Sequence, residues 1–201
     1  MTTQKPILYL VDDDEAVRQS LAMLLLSRGL AGSLGSFESG EAFLEGAELQ
    51  RCGCVILDMR MGGISGLQVL EELKKRDSWL VVLFLSGHGD IQAAIAATQS
   101  GAFDWLEKPC DEQRLLDKVG AALAWAAEVG QARQLWATLT DREAQVARLL
   151  ASTGGTSKEI ARQLVPPTGH RVVETYRERA YAKLEVSNPS ELLQFLQRFR
   201  I

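Results

Sequence analysis

Four apolar runs that each break off on a polar group constrain this chain more than any other feature. Cys54-Val55-Ile56-Leu57 ends on Asp58-Met59, and Ile7-Leu8-Tyr9-Leu10-Val11 ends on Asp12-Asp13-Asp14. Leu80 through Leu85 ends on Ser86-Gly87, and Trp105-Leu106 leads to Lys108-Pro109. A short run without polar alternation is what a strand buried on both faces requires, and such strands belong to parallel sheets covered by helices. Between the runs the apolar spacing turns helical, with Val17, Leu21, Leu24 and Leu25 before Gly29, and Leu67, Leu70 and Leu73 after Gly62-Gly63-Ile64-Ser65-Gly66. A weaker strand over 30–37, short helices over 39–44 and 91–100, and a helix from Asp111 onward complete five βα units, the pattern of a doubly wound parallel sheet. Ligands of such sheets bind outside the carboxyl ends of the strands. Three acids, a hydroxyl and an ammonium are therefore expected to converge on Asp58.

The last helix does not stop where a compact domain would. It runs from Leu115 through the alanine-rich segment 121–127 to Trp136, with Gly120 and Gly130 as weak points, and so doubles as a linker. From Thr140 the pattern is helical alone, over 141–150, 157–164, about 168–184 and 190–199, which makes a small all-α domain. Charge divides the same way. Residues 1–137 hold 12 Lys and Arg against 19 Asp and Glu, while residues 138–201 hold 10 against 7. An acidic module is thus joined to a basic one suited to a polyanion. The expected domains are 1–120, a linker over 121–136, and 137–201.

With 46% hydrophobic and 24% charged residues the chain has ordinary globular composition. No apolar run approaches the ~18 residues of a membrane span, and residues 1–6 lack the features of a signal peptide, so no membrane association is expected and the cytoplasm is the expected location. Cys52, Cys54 and Cys110 are odd in number and lack the paired spacing of a zinc site, which leaves reduced packing cysteines.

Val11-Asp12-Asp13-Asp14, Leu57-Asp58-Met59-Arg60-Met61, Ser86-Gly87-His88-Gly89-Asp90 and Glu107-Lys108-Pro109, in this order and spacing, resemble the receiver domain of bacterial two-component response regulators. Ser157-Lys158-Glu159-Ile160-Ala161 with Val173-Glu174-Thr175-Tyr176 and Lys183-Leu184 is similar to the LuxR-type helix-turn-helix of the NarL/FixJ class, and the Ser-Gly-His-Gly-Asp string to its FixJ, TodT and StyR branch. The resemblance implies a flavodoxin-like (βα)5 receiver, a helical linker and a four-helix DNA-binding domain.

It also implies chemistry. Phosphoryl transfer from a phosphohistidine to a carboxylate needs an in-line nucleophile and cations to neutralise the equatorial oxygens. Asp58 would be the acceptor of a phosphoryl group from a sensor histidine kinase. Mg²⁺, or another divalent cation such as Mn²⁺ or Ca²⁺, would take Asp13, Asp58, the Arg60 backbone carbonyl and water, with Asp12 holding a water. The resemblance places Lys108 and Ser86 on phosphoryl oxygens, has Trp105 change rotamer as Ser86 moves inward, and puts Pro109 after a cis bond. Asp14 and Glu15 are most simply a helix N-terminus, and His88 a loop residue. On the matched helix-turn-helix, Glu174, Thr175 and Glu178 would face the major groove, and Lys158, Arg171, Arg177, Arg179 and Lys183 would meet phosphates of double-stranded promoter DNA. Val172 or Val173 would belong to the core. A phosphorylated homodimer, paired around 91–105, follows from the same resemblance.

Two departures stand out. Gly62 occupies a place where the family usually has proline, which frees the loop behind Asp58 and is expected to weaken metal binding. The stretch 164–173 is about two residues longer than usual, placing Thr168 or Gly169 at the cap of the recognition helix. An alternative follows from the second: a receiver whose altered helical domain binds a protein partner. An aspartyl-phosphate hydrolase is disfavoured, because such enzymes show Asp-x-Asp where this chain has Asp58-Met59-Arg60. No enzyme activity is expected.

Overall fold

The computed structural model describes residues 6–30, 32–87, 91–164 and 166–201, with only the backbone for 91–94. His88 and Val165 thus lie outside the described residues. Two compact units divide the chain, Met1–Gly130 and Gln131–Ile201.

The first unit alternates β1 (Ile7–Val11), α1 (Glu15–Ser27), β2 (Leu34–Phe37), α2 (Gly40–Gly46), β3 (Gly53–Asp58), α3 (Gly66–Lys75), β4 (Leu80–Ser86), α4 (Ile91–Gln99), β5 (Asp104–Glu107) and the start of α5 (Glu112–Ala137). Its five strands form one parallel sheet in the order β2-β1-β3-β4-β5. The winding reverses between β1 and β3, the place where such sheets open a crevice. Val11 pairs with Leu57 there, so Asp12 and Asp58 leave the sheet side by side.

Strand side chains alternate, so each run feeds two cores. Tyr9, Val11, Val55, Leu57, Val82 and Phe84 meet Phe43 of α2 and Val69, Leu70 and Leu73 of α3. Leu8, Leu10, Ile56, Leu83 and Leu85 meet Leu25 of α1 and Leu115, Val119, Ala122 and Ala126 of α5 on the other face. Each such aliphatic side chain contributes roughly 1.5–3 kcal/mol when fully buried, which is why polar residues appear only where the runs end. Cys54 sits in this interior, and burial pushes its thiol up to about 12, leaving it inert.

One expectation shifts. The second strand starts at Leu34, not at residue 30. The helix α5 keeps packing beyond residue 120: Ala122 and Ala126 are fully buried, and a Cβ on Gly130 would stand 2.6 Å from Cys52 Cβ. Small side chains that read as linker composition are what lets α5 lie flat on the sheet through Gly130.

The second unit holds the end of α5 with α6 (Asp141–Thr153), α7 (Ser157–Gln163), α8 (His170–Leu184) and α9 (Pro189–Phe199). Thr140 with Glu143, and Thr156 with Glu159, close capping boxes at the starts of α6 and α7. Asn188 caps α9, with Pro189 at its first position. Val146, Leu150, Ile160, Leu164, Val173, Ala180, Leu184, Leu192 and Leu196 form the core. The third helix begins at His170, not Thr168: the Thr168 amide donates to the Ala161 carbonyl at 3.2 Å, and Gly169 becomes a cap without a side chain. Among the described residues no helix is long and apolar enough to cross a membrane.

Candidate functional site

The ends of β1, β3, β4 and β5 bring the expected groups together. Asp58, the last residue of β3, is 7% exposed, and Asp12 beside it is 4% exposed. Lys108 Nζ reaches both, 2.5 Å from Asp12 Oδ2 and 2.7 Å from Asp58 Oδ1. The Arg60 amide donates to the other oxygen of Asp58 at 2.8 Å. Arg18 of α1 braces the strand end by donating to the Asp12 carbonyl at 2.6 Å.

Electrostatics follow from that geometry. Burial pushes the Asp58 carboxyl above its ordinary value; the hydrogen bond and charge of Lys108 and the Arg60 amide pull against it, and the charge of Asp12 adds to the rise. Burial pulls the Lys108 ammonium down, but its bonds to Asp12 and Asp58 outweigh that and hold it above its ordinary value. The lysine is therefore a fixed positive charge between two acids.

Backbone contacts hold Asp58 from behind. Gly66, first in α3, donates to the Met59 carbonyl at 3.1 Å, and a Cβ there would lie 2.4 Å from the Asp58 carbonyl and 2.8 Å from Phe84 Cε1. The α3 N-terminus thus sits directly on the backbone of Asp58, a contact only glycine permits. Asp14 caps α1 through the amides of Ala16 and Val17, as its position before a helix suggests.

Ser86 is fully buried at the end of β4, and its Oγ accepts a hydrogen bond from Trp105 Nε1 at 2.9 Å. Its carbonyl accepts the Lys108 amide at 2.7 Å, and the Lys108–Pro109 bond is cis, as expected. The Trp105 ring is half-buried in the core on the α3 side, so core packing and a polar contact coexist in one side chain.

Asp13 is exposed, and its Oδ2 accepts the Gly62 amide at 3.2 Å. Among the described residues no three His, Cys, Asp or Glu groups are placed to hold a metal by themselves. The donors present are two to three carboxylates and backbone carbonyls, all oxygen. That set suits a hard cation that keeps several waters and takes one or two carboxylates, not a caged metal.

In the second unit, Arg171, Thr175, Glu178 and Arg179 are exposed on α8, and Lys158 is exposed on α7. Glu174 and Arg177 are half-buried flanking residues. Val173 is fully buried, whereas Val172 is 41% exposed beside Arg171 and Thr175. Lys183 has partners that the sequence does not show. Its Nζ donates to Glu143 Oε2 at 2.5 Å and to the Thr138 carbonyl at 2.9 Å, which joins α8 to the start of α6. Glu143 is 2% exposed. Its capping-box spacing, Thr-x-x-Glu, was legible in the sequence; the long-range lysine was not. Glu41, which accepts the Ile64 amide at 2.9 Å and so pins the loop after β3, had no local signal at all.

Comparison with known proteins agrees with both units. Residues 8–120 match the family described as "Response regulator receiver domain", and residues 137–196 match "Bacterial regulatory proteins, luxR family". Transcriptional regulatory protein TdiR of Thauera aromatica is 39% identical over 94% of this chain and 85% of its own. Transcriptional regulatory protein FixJ of Azorhizobium caulinodans is 40% identical over 92% and 89%. Among solved structures, response regulator StyR aligns over 97% of this chain and 100% of its own, with TM-score 0.60 and 35% identity. Full-length FixJ from B. japonicum aligns over 98% of each chain, with TM-score 0.55 and 33% identity. The chain belongs to the response regulators, a receiver followed by a LuxR-family helix-turn-helix, and is a phosphorylation-controlled DNA-binding regulator of transcription.

Proposed function

We propose that Asp58 is the phosphoryl acceptor, and the observation that carries this reading is the Lys108 ammonium set between Asp12 and Asp58 at the mouth of the sheet. A sensor histidine kinase is the donor. Asp58 Oδ attacks phosphorus as the bond from the histidine nitrogen breaks, leaving an acyl phosphate on Asp58. Lys108 exchanges part of its pairing with the acids for a phosphoryl oxygen, keeping the added charge matched. Ser86 donates its hydroxyl hydrogen to a second phosphoryl oxygen, and the inward move of the hydroxyl that the family resemblance implies takes Oγ away from Trp105 Nε1. The indole then loses its partner and takes another rotamer, carrying the change to the β5 surface. The acids fit Mg²⁺ or a similar divalent cation held by Asp13, Asp58 and the Arg60 carbonyl, with Asp12 on a bound water. When bound, it supplies positive charge that offsets repulsion between the acids and the incoming phosphoryl group.

The output is binding of promoter DNA by a homodimer in the cytoplasm. Arg171 and Arg179 on α8 and Lys158 on α7 serve as phosphate contacts, Arg177 flanks them, and Thr175, Glu178 and Glu174 lie toward the bases. Paired receivers, joined around α4 and β5, would present two recognition helices to half-sites about one turn apart. A second reading, a protein partner in place of specific DNA, is favoured by two glutamates on α8 and by its uncapped start at Gly169.

The test combines label and footprint. A small phosphodonor with Mg²⁺ is expected to add one acid-labile phosphoryl mass to the native chain and none to Asp58→Asn. Full labelling of that variant would remove Asp58 from the role. A discrete footprint of the labelled protein on its own upstream region supports DNA reading, and failure to bind DNA even at low salt supports the protein-partner account.

A further inference from the structure

The loop after β3 is gripped by carboxylates from two other elements. The Gly62 amide donates to Asp13 Oδ2 at 3.2 Å, and two residues on the Ile64 amide donates to Glu41 Oε1 at 2.9 Å. Gly63 between them has φ +88, and a Cβ there would lie 2.5 Å from Glu41 Oε1. The loop is therefore pinned on the α2 side at Ile64, and this pin presents the Gly62 amide to the β1 end. Proline, which the resemblance puts at this place in most relatives, has no N–H to give. The contact to Asp13 is open to this chain because residue 62 is not proline.

We infer that the Gly62 amide is a positioning donor for Asp13, holding one carboxylate oxygen so that the other is kept ready for the cation. An exposed aspartate otherwise samples several rotamers and must be ordered when it takes a metal; a fixed donor removes part of that cost. Donors behind a ligating carboxylate orient it in this way, and their loss typically costs 10–100-fold in metal affinity. The inference rests on the assignment of Asp13 as a metal ligand. It also reverses the expectation from sequence that Gly62 weakens the site by freeing the loop.

Two substitutions separate the donor from the stiffness of the loop. Gly62→Ala keeps the N–H, and its Cβ would meet nothing within 4 Å. Gly62→Pro removes the N–H. Free Mn²⁺ is counted by electron paramagnetic resonance during titration of the full-length native chain, both variants and Asp13→Ala. Expected are native affinity within about twofold for Gly62→Ala, a loss of about tenfold for Gly62→Pro, and a larger loss for Asp13→Ala. Native affinity in Gly62→Pro overturns the inference and leaves the acid site standing, and so does equal weakening in both Gly62 variants. Absence of Mn²⁺ binding by the native chain, or unaltered binding by Asp13→Ala, removes the metal assignment and the inference with it. Should Gly62→Pro fail to fold, hydrogen exchange of the Gly62 amide decides. Faster exchange in Asp13→Ala than in the native chain is expected, and equal rates overturn the inference.

Discussion

Lys108 in the first unit and Lys183 in the second both reach buried carboxylates, yet the two pairs are built for different ends. Lys108, with a side chain 27% exposed, bridges two acids whose side chains are 6% and 9% exposed. The Lys183 side chain is 34% exposed and meets one acid whose side chain is 3% exposed. The acids around Lys108 stand at open strand ends beside the exposed Asp13, so an arriving anion can share the ammonium. Glu143 also accepts the Thr140 amide within its capping box, and Lys183 donates to the Thr138 carbonyl as well, so that network ties α8 to the start of α6. A lysine between two acids is a device for re-pairing, whereas a lysine on one satisfied acid is a joint.

The largest effect expected from this contrast concerns Lys108→Met. It leaves two buried acids side by side with no cation between them, and the rise in DNA affinity on adding a phosphodonor should vanish. Lys183→Met should keep that ratio while lowering affinity with and without the donor. Titration of operator DNA with both variants checks this, and loss of the ratio in Lys183→Met would erase the distinction.

Next in size is stability. Lys183→Met leaves Glu143 buried without its cation and should destabilise the second unit by about 1–3 kcal/mol, below the cost of breaking a fully buried pair because the lysine is partly solvated. Hydrogen exchange of the α8 amides measures it. The same pair fixes a pH window. Burial raises the pKa of Glu143, but the hydrogen bonds of Lys183 and Thr140 and the lysine charge outweigh it, holding the carboxyl below its ordinary 4.5. A depressed pKa contributes stability that is in place above pH 4.5 and is lost as pH falls through the folded value. Protection of α8 should therefore fade below pH 4.5 in the native chain and change less in Lys183→Met.

The smallest effect is a slope. Arg179→Ala should reduce the dependence of log affinity on log salt by about one, because one phosphate contact is gone. Lys183→Met should leave the slope unaltered. A reduced slope in Lys183→Met, measured from about 50 to 200 mM salt, would return that residue to the DNA surface.

What could be read beforehand follows from range. Asp12, Asp58, Ser86 and Lys108 were legible because each ends a buried run, and the parallel sheet that such runs require must gather their ends. The flat seat of α5 was not, since an alanine-rich helix has the same composition whether it spans solvent or lies against a sheet. The partner of Lys183 is hidden for the same reason: a sequence displays the charge and conceals Glu143, which lies 40 residues away along the chain. Val172 and Val173 were interchangeable until the start of α8 at His170 set which one faces inward. The grips of Asp13 on Gly62 and Glu41 on Ile64 are side chain to backbone contacts across elements, and composition carries no trace of them.

Gly66 gives the last consequence. It touches no phosphoryl group, metal or base, but its missing side chain lets α3 rest on the carbonyl of Asp58. A genetic screen for unresponsive regulators should therefore recover changes at Gly66 together with those at Asp58, and an inventory of contacts to the signal would miss them.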